Sequence, residues 1–427
     1  MALRLRSALS AAAYGRFLPH RALSTEATSR PQWGVIAGTR PVKSPALRAT
    51  FHLAEPPRAS RLLVPAHLLG SGPLPGALFC DVRAVSTDGF LLLNFLDVRT
   101  TAPVLESHRA HPFRDVTISA LPEVTRFVCN PLSGELFRLP DMDGTKKTMC
   151  DNRLGLLTKA RRGHGPPDRY AVAELLQEKE PSRCFSMRRF LSETGEWEKL
   201  TGLPSPLPLP LVRQMEVDHE AVAFGGRLWW VDVSCGAVSA DPFSDRPELR
   251  FVELPEGMPA KERVVPERRT LCRYRRIGVS EGRLRYAVVS QCEPFVLRSF
   301  ALNGDDDWTL EHEVALSPLW TNGGYPWLPM GEGPGETPRI AVIDPMNANS
   351  MHLTIGNYVV TVDMDMGKVV ASVIVSAAHQ HGLIMANGGF FRAFLLSTWL
   401  GSSRIPRAGK PGNARNKTLA DVLIRSN

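Results

Sequence analysis

Short runs of alternating apolar and polar residues, separated by glycine-rich turns, recur along most of this chain. They are clearest in 219–254, where Trp229 falls on one face of an extended strand and Trp230 on the other. Gly225-Gly226 supplies a two-residue hairpin turn before that strand, and two further runs complete four short antiparallel strands. Because buried aromatic side chains contribute strongly to cores, we interpret the tryptophans as packing residues rather than as a ligand-stacking site.

The same four-stranded unit recurs at intervals of roughly 40–70 residues, which is typical of β-propeller blades. A β-sandwich with long insertions is the competing interpretation. We predict an all-β, antiparallel, propeller-like domain with about six four-stranded blades. Five blades are continuous in sequence, and the sixth is assembled from both ends. In it, 35–53 or 62–68 pairs with late strands such as 390–397, so that no sheet edge is left open.

Composition agrees with a large β domain. The 427 residues are 43% hydrophobic, and 34 glycines and 35 prolines interrupt the chain too often for long helices. No run of about eighteen apolar residues occurs, so we expect no membrane-spanning helix. The seven cysteines are widely spaced and form no Cys-x-x-Cys pair, which indicates buried apolar residues in a reducing compartment.

The positive charge is concentrated at the two ends of the chain. The formal net charge is +8, but 1–25 contain four arginines and no acid, and 404–427 contain six basic residues and one acid. The remaining body has 41 basic and 42 acidic residues, a net charge of −1. A nucleic-acid-binding fold carries positive charge on its body, opposite the phosphates, so we expect no nucleic-acid partner for the folded part.

The amino-terminal residues 1–30 have the composition of an organelle transit peptide. They are rich in Arg, Ser, Ala and Leu, and their first acid is Glu26. Wound as a helix, the segment places Leu3, Leu5 and Leu9 opposite some of the arginines, and it lacks the continuous apolar run of a secretory signal. We predict a mitochondrial address with cleavage in about 22–31. Plastid import and an untargeted cytosolic tail are the alternatives.

No local motif indicates catalysis, a metal or a cofactor. His379 and His381 could share a strand face, but no third ligand lies nearby in sequence, and a polar turn explains them better. Asp305-Asp306-Asp307 lacks the alternating ligands of a calcium loop. The stretches 70–76 and 331–336 lack the terminal Gly-Lys-Ser/Thr of a phosphate-binding loop. Glu311 and Glu313 flank His312 as an ordinary solvent-facing strand would. We therefore predict no catalytic, cofactor-binding or metal-binding residues.

Two sets of stretches resemble known families. The stretch 127–140, FVCNPLSGELFRLP, resembles a motif of plant F-box-associated, kelch-like propellers, in which Asn130 opens a hairpin turn and Gly134 is its left-handed residue. The stretches 226–254, 273–287 and 308–320 are similar to the plant domain-of-unknown-function 1618 family, abundant in grasses, over about 220–350. Segments 33–42 and 56–65 resemble the usual start of such proteins, so we expect the whole chain to belong. The resemblance implies no established reaction, cofactor or catalytic residue.

Three classes of function remain. We favour a non-catalytic protein-interaction or scaffold module with an unknown protein partner, and its oligomeric state is open. An enzyme whose site converges across blades in a central funnel is one alternative, because such a site leaves no local motif. A ubiquitin-ligase substrate adaptor is the other, although no F-box of about fifty residues precedes the propeller.

These inferences divide the chain into three parts. Residues 1–30 are the transit peptide and 31–403 the propeller-like domain. Residues 404–427 form a basic flexible tail. In that tail, Thr418 is a plausible N-cap, and Leu419, Val422 and Leu423 share one helical face, which predicts a short helix over about 418–425.

We predict that residues 1–30 carry a fluorescent reporter into mitochondria. The positive charges of Arg4, Arg6, Arg16 and Arg21 are attracted by the inner-membrane potential. Changing all four to Glu should leave the reporter in the cytosol when it is imaged in cells. Unchanged import would contradict the argument, and import into plastids alone would reassign the organelle.

Overall fold

The alternating runs form six four-stranded sheets. This is seen in a computed structural model, which describes residues 31–69, 77–98, 123–142, 153–161, 165–178, 184–208, 215–217, 219–255, 271–304, 307–322, 325, 328, 337–375 and 391–407. The predicted transit peptide, the helix over 418–425, the 70–76 and 331–336 loops and the histidine pair 379/381 lie outside these ranges and stay predictions. So do Asp305 and Asp306.

Five of the sheets, which we call blades 1 to 5, are each built from four consecutive antiparallel strands. Blade 1 contains β4 (Ala77–Val85), β5 (Leu91–Val98), β6 (Glu123–Cys129) and β7 (Leu136–Arg138). Blade 2 contains β8 (Gly155–Lys159), β9 (Arg169–Gln177), β10 (Phe185–Leu191) and β11 (Glu196–Leu203). Blade 3 contains β12 (Val222–Phe224), β13 (Arg227–Asp232), β14 (Gly236–Ala240) and β15 (Arg250–Glu253).

Blades 4 and 5 follow the same plan. Blade 4 contains β16 (Arg275–Ser280), β17 (Arg283–Val289), β18 (Val296–Leu302) and β19 (Trp308–Ala315). Blade 5 contains β20 (Arg339–Ile343), β21 (Ser350–Ile355), β22 (Tyr358–Asp363) and β23 (Lys368–Ile374). In each blade the first strand of the unit lies innermost, and β4, β8, β12, β16 and β20 contact one another in that order.

Blade 6 closes the ring with strands from both ends of the chain. Its order is β24 (Arg392–Leu395), β1 (Trp33–Val42), β3 (Ala59–Pro65) and β2 (Thr50–His52), and β24 contacts both β4 and β20. Val35 pairs with Ala393 and Ile36 with Arg392, so the predicted pairing of early and late segments is confirmed. The predicted six-bladed β-propeller is confirmed with it. Within this blade β1 and β3 run parallel, whereas the pairs in blades 1 to 5 are antiparallel.

Apolar cores lie between the blades, because each blade is covered on both faces by its neighbours. Trp230 is fully buried in a core with residues of blade 2, such as Leu157 and Met187. Trp229, on the opposite face of the same strand, packs in another core with blade 4 residues such as Tyr286. The two indole groups donate to the carbonyl oxygens of Arg153 and Phe224. The interpretation of both tryptophans as packing residues is confirmed.

Turns form where the sequence places glycine or asparagine. Gly225 and Gly226 have φ of 60° and 72°, the left-handed region required of a two-residue hairpin turn. Gly134 has φ of 68° in the predicted turn after β6. Asn130 begins that turn: its side-chain oxygen accepts the amide of Leu132, and its side-chain amide donates to Leu400 O at 2.7 Å. The motif in 127–140 thus joins blade 1 to the segment that follows β24.

Helical structure is scarce. In the described part of the chain the single α-helix, α1, spans Leu316–Asn322, and a 3-10 helix spans Ala66–Leu69. Leu316 and Trp320 are buried and pack with blades 4 and 5. No helix among the described residues is long and apolar enough to cross a membrane.

We predict that Phe394→Ala weakens the ring closure. Phe394 is 1% exposed between blades 6 and 1, and its ring occupies the space that Gly34 leaves: a Cβ on Gly34 would lie 2.6 Å from its Cζ. Truncating a buried Phe should lower the free energy of unfolding by about 3–5 kcal/mol, measured by urea denaturation. Leu47→Ala, at a side chain that is 80% exposed, should change it by less than about 0.5 kcal/mol. Equal effects would contradict the packing argument.

Candidate functional site

A funnel of about 510 Å³ lies at the centre of the ring. Five innermost strands and the turns that follow them provide its lining: 85–87, 220–224, 276–279, 281–282, 342–343, 345–346 and 392–395. No single blade could form this site, because each contributes only one strand to it. Cavities of this size accommodate a small molecule or a few inserted side chains.

The mouth of the funnel lies at the turns that end the innermost strands. Successive blades repeat one up-and-down plan, so the innermost strands run in the same direction and their ends share one face of the ring. Thr87, Glu281 and Met346, in turns at that face, are exposed. At the other ends of the strands, Arg276 and Arg392 are buried. The charged residues therefore form the floor of the funnel.

The floor contains one carboxylate between two guanidinium groups. Glu220 Oε1 lies 2.5 Å from Arg276 Nη2, and Glu220 Oε2 lies 3.3 Å from Arg392 Nη1. The ring of His219 is also buried here, with its Nδ1 3.0 Å from Glu220 Oε2. We call these four residues the floor cluster.

Backbone acceptors complete the environment of Arg276. This side chain donates to the carbonyl oxygen of Ala341 on β20 and, at 2.6 Å, to that of Phe391 just before β24. Glu220 precedes β12 in blade 3, and Arg276 lies on β16 in blade 4. The floor cluster thus ties blades 3, 4, 5 and 6 together beside the axis.

The floor cluster fixes the charge of its ionisable groups. Burial acts to raise the pKa of Glu220, but the guanidinium groups of Arg276 and Arg392 outweigh it and hold the pKa well below its ordinary value. Burial lowers the pKa of His219, more than the neighbouring carboxylate raises it. At neutral pH the glutamate is therefore ionised, and the buried histidine is neutral.

Above the floor the walls are mainly apolar. They consist of aliphatic and aromatic residues from five blades, among them Val85, Val222, Phe224, Val279, Val342, Ile343, Ala393 and Leu395. Ser86 is buried, and Met346 at the rim is 46% exposed. An apolar group can therefore leave water in the funnel, and it would meet a floor whose one carboxylate is already paired with two guanidinium groups.

Of the residues that the sequence singled out, those that the structure describes lie outside the lining of this funnel. Glu311 pairs with Arg283 at 2.7 Å and also with Arg285, and Glu313 pairs with Arg298 at 2.8 Å, all within blade 4. His312 is partly buried beside them. These carboxylates form ion pairs between strands of one blade. Among the described residues, no group of three His, Cys, Asp or Glu side chains could hold a metal ion.

The described cysteines are free thiols with differing exposure. Cys129 and Cys272 are buried, as predicted for apolar core residues, whereas Cys184 and Cys235 are partly buried and Cys292 is exposed. Burial raises the pKa of the Cys129 thiol well above its ordinary value, so it stays protonated.

Sequence reasoning missed the floor cluster. Glu220 and Arg276 are 56 residues apart, and Arg392 lies in a third segment. Each appears in the sequence as one charged residue at the start of an apolar strand, which is also what a solvent-facing strand end looks like. Only the placement of each at the inner end of a blade could have indicated that they meet.

Six four-stranded blades around an axial funnel define this chain as a six-bladed β-propeller. A family model described as "Protein of unknown function (DUF1618)" matches residues 230–352. This agrees with the central part of the resemblance noted in the sequence. No curated protein matches the chain.

Several solved structures match the chain at low sequence identity and low TM-score. The periplasmic gluconolactonase of Pseudomonas aeruginosa is 11% identical with a TM-score of 0.33, over 86% of this chain and 99% of that one. A candidate 6-phosphogluconolactonase of Bacteroides fragilis is 11% identical with a TM-score of 0.33, over 81% and 95%. An α-L-arabinofuranosidase of Podospora anserina is 8% identical with a TM-score of 0.28, over 85% and 95%. At these scores the likeness carries no argument about function.

We predict that Glu220→Gln strongly destabilises the protein. The substitution keeps the size of the side chain but leaves the buried Arg276 and Arg392 without their carboxylate. Breaking such a buried pair should lower the free energy of unfolding by about 3–5 kcal/mol. Glu193→Gln is the matched control, since Glu193 also contacts two arginines but is 40% exposed, and it should cost less than about 1 kcal/mol.

The difference between the wild type and Glu220→Gln should also depend on pH. Because folding lowers the pKa of Glu220, its contribution is fully present above the pKa of the unfolded chain, near 4.5. It is lost as the pH falls through the lower pKa of the folded state. Urea denaturation at several pH values should therefore show the two proteins converging in acid. A constant difference would contradict the assignment of an ionised Glu220.

Proposed function

We propose that this propeller is a non-catalytic protein-interaction module and that a partner protein docks on its turn face, placing an apolar side chain in the funnel. The observation that carries the proposal is the chemistry of the funnel: apolar walls above a floor cluster in which the one carboxylate is already paired with two arginines. Binding energy in protein interfaces concentrates where an anchoring side chain enters such a desolvated pocket.

The rim supports a protein partner. Met346 is 46% exposed, Phe224 is half-buried, and both line the mouth. Methionine and aromatic side chains are enriched at protein interfaces, and the flexible methionine side chain adapts to different partners. The exposed Glu281 and Thr87 offer polar contacts around the apolar centre.

The floor cluster favours binding over catalysis in the funnel. General acid–base catalysis needs a group whose pKa lies near the working pH. Among the described residues that line the funnel, the buried carboxylate is that of Glu220. Two arginines lower its pKa and keep it ionised. It is therefore poorly suited to donate or accept a proton at neutral pH. The enzyme alternative would need another reacting group, such as Ser86, Thr87 or Glu281 of the lining.

We also propose that the family similarity extends over the whole ring. The matched segment begins at Trp230 within β13 and ends at His352 within β21. Both boundaries fall inside a blade, and a blade buries its faces only against its neighbours, so the segment cannot be a complete folding unit. The plant origin, the mitochondrial address and the substrate-adaptor alternative rest on the sequence patterns described above.

The funnel proposal is tested with a photo-crosslinking amino acid at Met346, in full-length protein incubated separately with mitochondrial and cytosolic extracts. A discrete protein should crosslink from Met346 and not from Met366, a control methionine that is 59% exposed in the β22–β23 turn. The purified partner should then bind Met346→Arg at least about tenfold more weakly than the wild type, because a charge enters the apolar mouth.

Met366→Arg adds the same charge on the same blade and should change the affinity by less than about twofold. Biolayer interferometry measures both variants. Equal crosslinking from the two positions, or equal loss of affinity in the two variants, would refute docking at the funnel. Native mass spectrometry could instead show a small molecule that copurifies with the wild type and not with Met346→Arg. That result would mean that the funnel binds a small ligand and not a protein.

A further inference from the structure

An apolar core lies between blades 5 and 6. It contains Trp33, Val35, Val342 and Phe391, and it extends outward to Val359 on β22 and Val373 on β23. This interface is the seam where the two ends of the chain close the ring.

The outer half of this interface is an open groove of about 660 Å³, which we call the seam groove. Leu63, Val359 and Val373 are among the apolar residues that line it, and Ile374 at its edge is 70% exposed. Blade 6 contributes both apolar residues, such as Leu63 on β3, and polar residues on β2 and β3. His52 pairs with Arg61 across these two strands.

Positive charge surrounds this apolar lining. Arg40, Arg58 and Arg61 all line the seam groove and are exposed, and no carboxylate occurs among the described residues of its lining. One acid, Glu55, precedes Arg58 in the same turn, so the local charge is still positive. This contrasts with the body as a whole, which has nearly equal numbers of basic and acidic residues.

The two ends of the chain and the segment beside the seam groove do not complement this charge. The tail 404–427 has six basic residues and one acid, and 1–25 have four arginines and no acid. The segment 376–390, which joins two residues of the lining, contains no acid either. Charge complementarity therefore favours an acidic occupant.

We propose that the seam groove binds an acidic segment of a partner protein, with apolar side chains on the aliphatic lining and carboxylates facing Arg40 and Arg58. An extended segment suits a groove between two blades. Arginine forms bidentate pairs with carboxylates, so it suits recognition of such a segment better than lysine would. The seam groove shares no lining residue with the funnel, so this proposal and the funnel proposal can fail independently.

The test uses a random 12-residue peptide library displayed on phage, selected on the full-length protein. Selected peptides should combine Glu or Asp with large apolar residues. One of them, labelled with fluorescein, is then titrated in fluorescence anisotropy. Arg40→Glu/Arg58→Glu should weaken binding at least about tenfold, and raising the salt should weaken wild-type binding, because the contact is electrostatic at the surface.

Arg246→Glu/Arg404→Glu is the charge-matched control, since both arginines are exposed and lie outside the seam groove. It should change the affinity by less than about twofold. Ile374→Asp should weaken binding, whereas Leu310→Asp, an exposed apolar position on β19, should not. Thermal melting shows whether each variant is folded.

Three results would overturn the proposal: selection of basic or uncharged peptides, no selection at all, or equal loss of affinity in the two charge-reversed variants. Vesicles of phosphatidylserine and phosphatidylcholine form a second arm. Binding to these vesicles that Arg40→Glu/Arg58→Glu abolishes, without binding of the acidic peptide, would assign the surface to a membrane instead. If the selected peptide no longer binds Met346→Arg, it binds in the funnel and not in the seam groove.

Discussion

A single buried carboxylate, that of Glu220, holds guanidinium groups from two other blades beside the axis of the ring. A propeller has no central apolar core, because its cores lie between neighbouring blades. Contacts across the axis must therefore come from polar groups at the inner strand ends. Arg276 meets this need by bonding at once to Glu220 and to two backbone carbonyls of blades 5 and 6. Such a network specifies one arrangement of four blades, since any other would leave charges buried without partners.

The ring closure explains why one blade differs from the others. Blades 1 to 5 are continuous in sequence, so each strand pairs with the next one along the chain. Blade 6 combines β24 with three amino-terminal strands, and β1 pairs in parallel with β3. Phe394 and the core around Trp33 pack the inner part of blade 6. Arg40 and Arg61 of blade 6 line the groove that it shares with blade 5. The seam groove is therefore a consequence of how the ring closes.

Two surfaces of different chemistry follow from this architecture. The funnel has apolar walls above a carboxylate paired with two arginines, and the seam groove is apolar with arginines along its side. The seam groove lies between blades 5 and 6, which also contribute to the funnel, but the two surfaces share no lining residue. A module with two separate surfaces can bring two partners together, which is the role of a scaffold.

The sequence by itself determined the blades and their turns. Apolar residues on both faces of 227–233 predict that both faces of this strand pack, and Trp229 and Trp230 do enter different cores. Gly225, Gly226 and Gly134 mark turns, because their backbone conformation is a local property. The pairing of an amino-terminal segment with 390–397 was also predictable, since a closed ring leaves no open sheet edge, but its register was not. Tertiary structure alone decided that Glu220, Arg276 and Arg392 meet. Their contact depends on the angle between blades and on which strand end faces the axis, and neither leaves a periodic trace in the sequence.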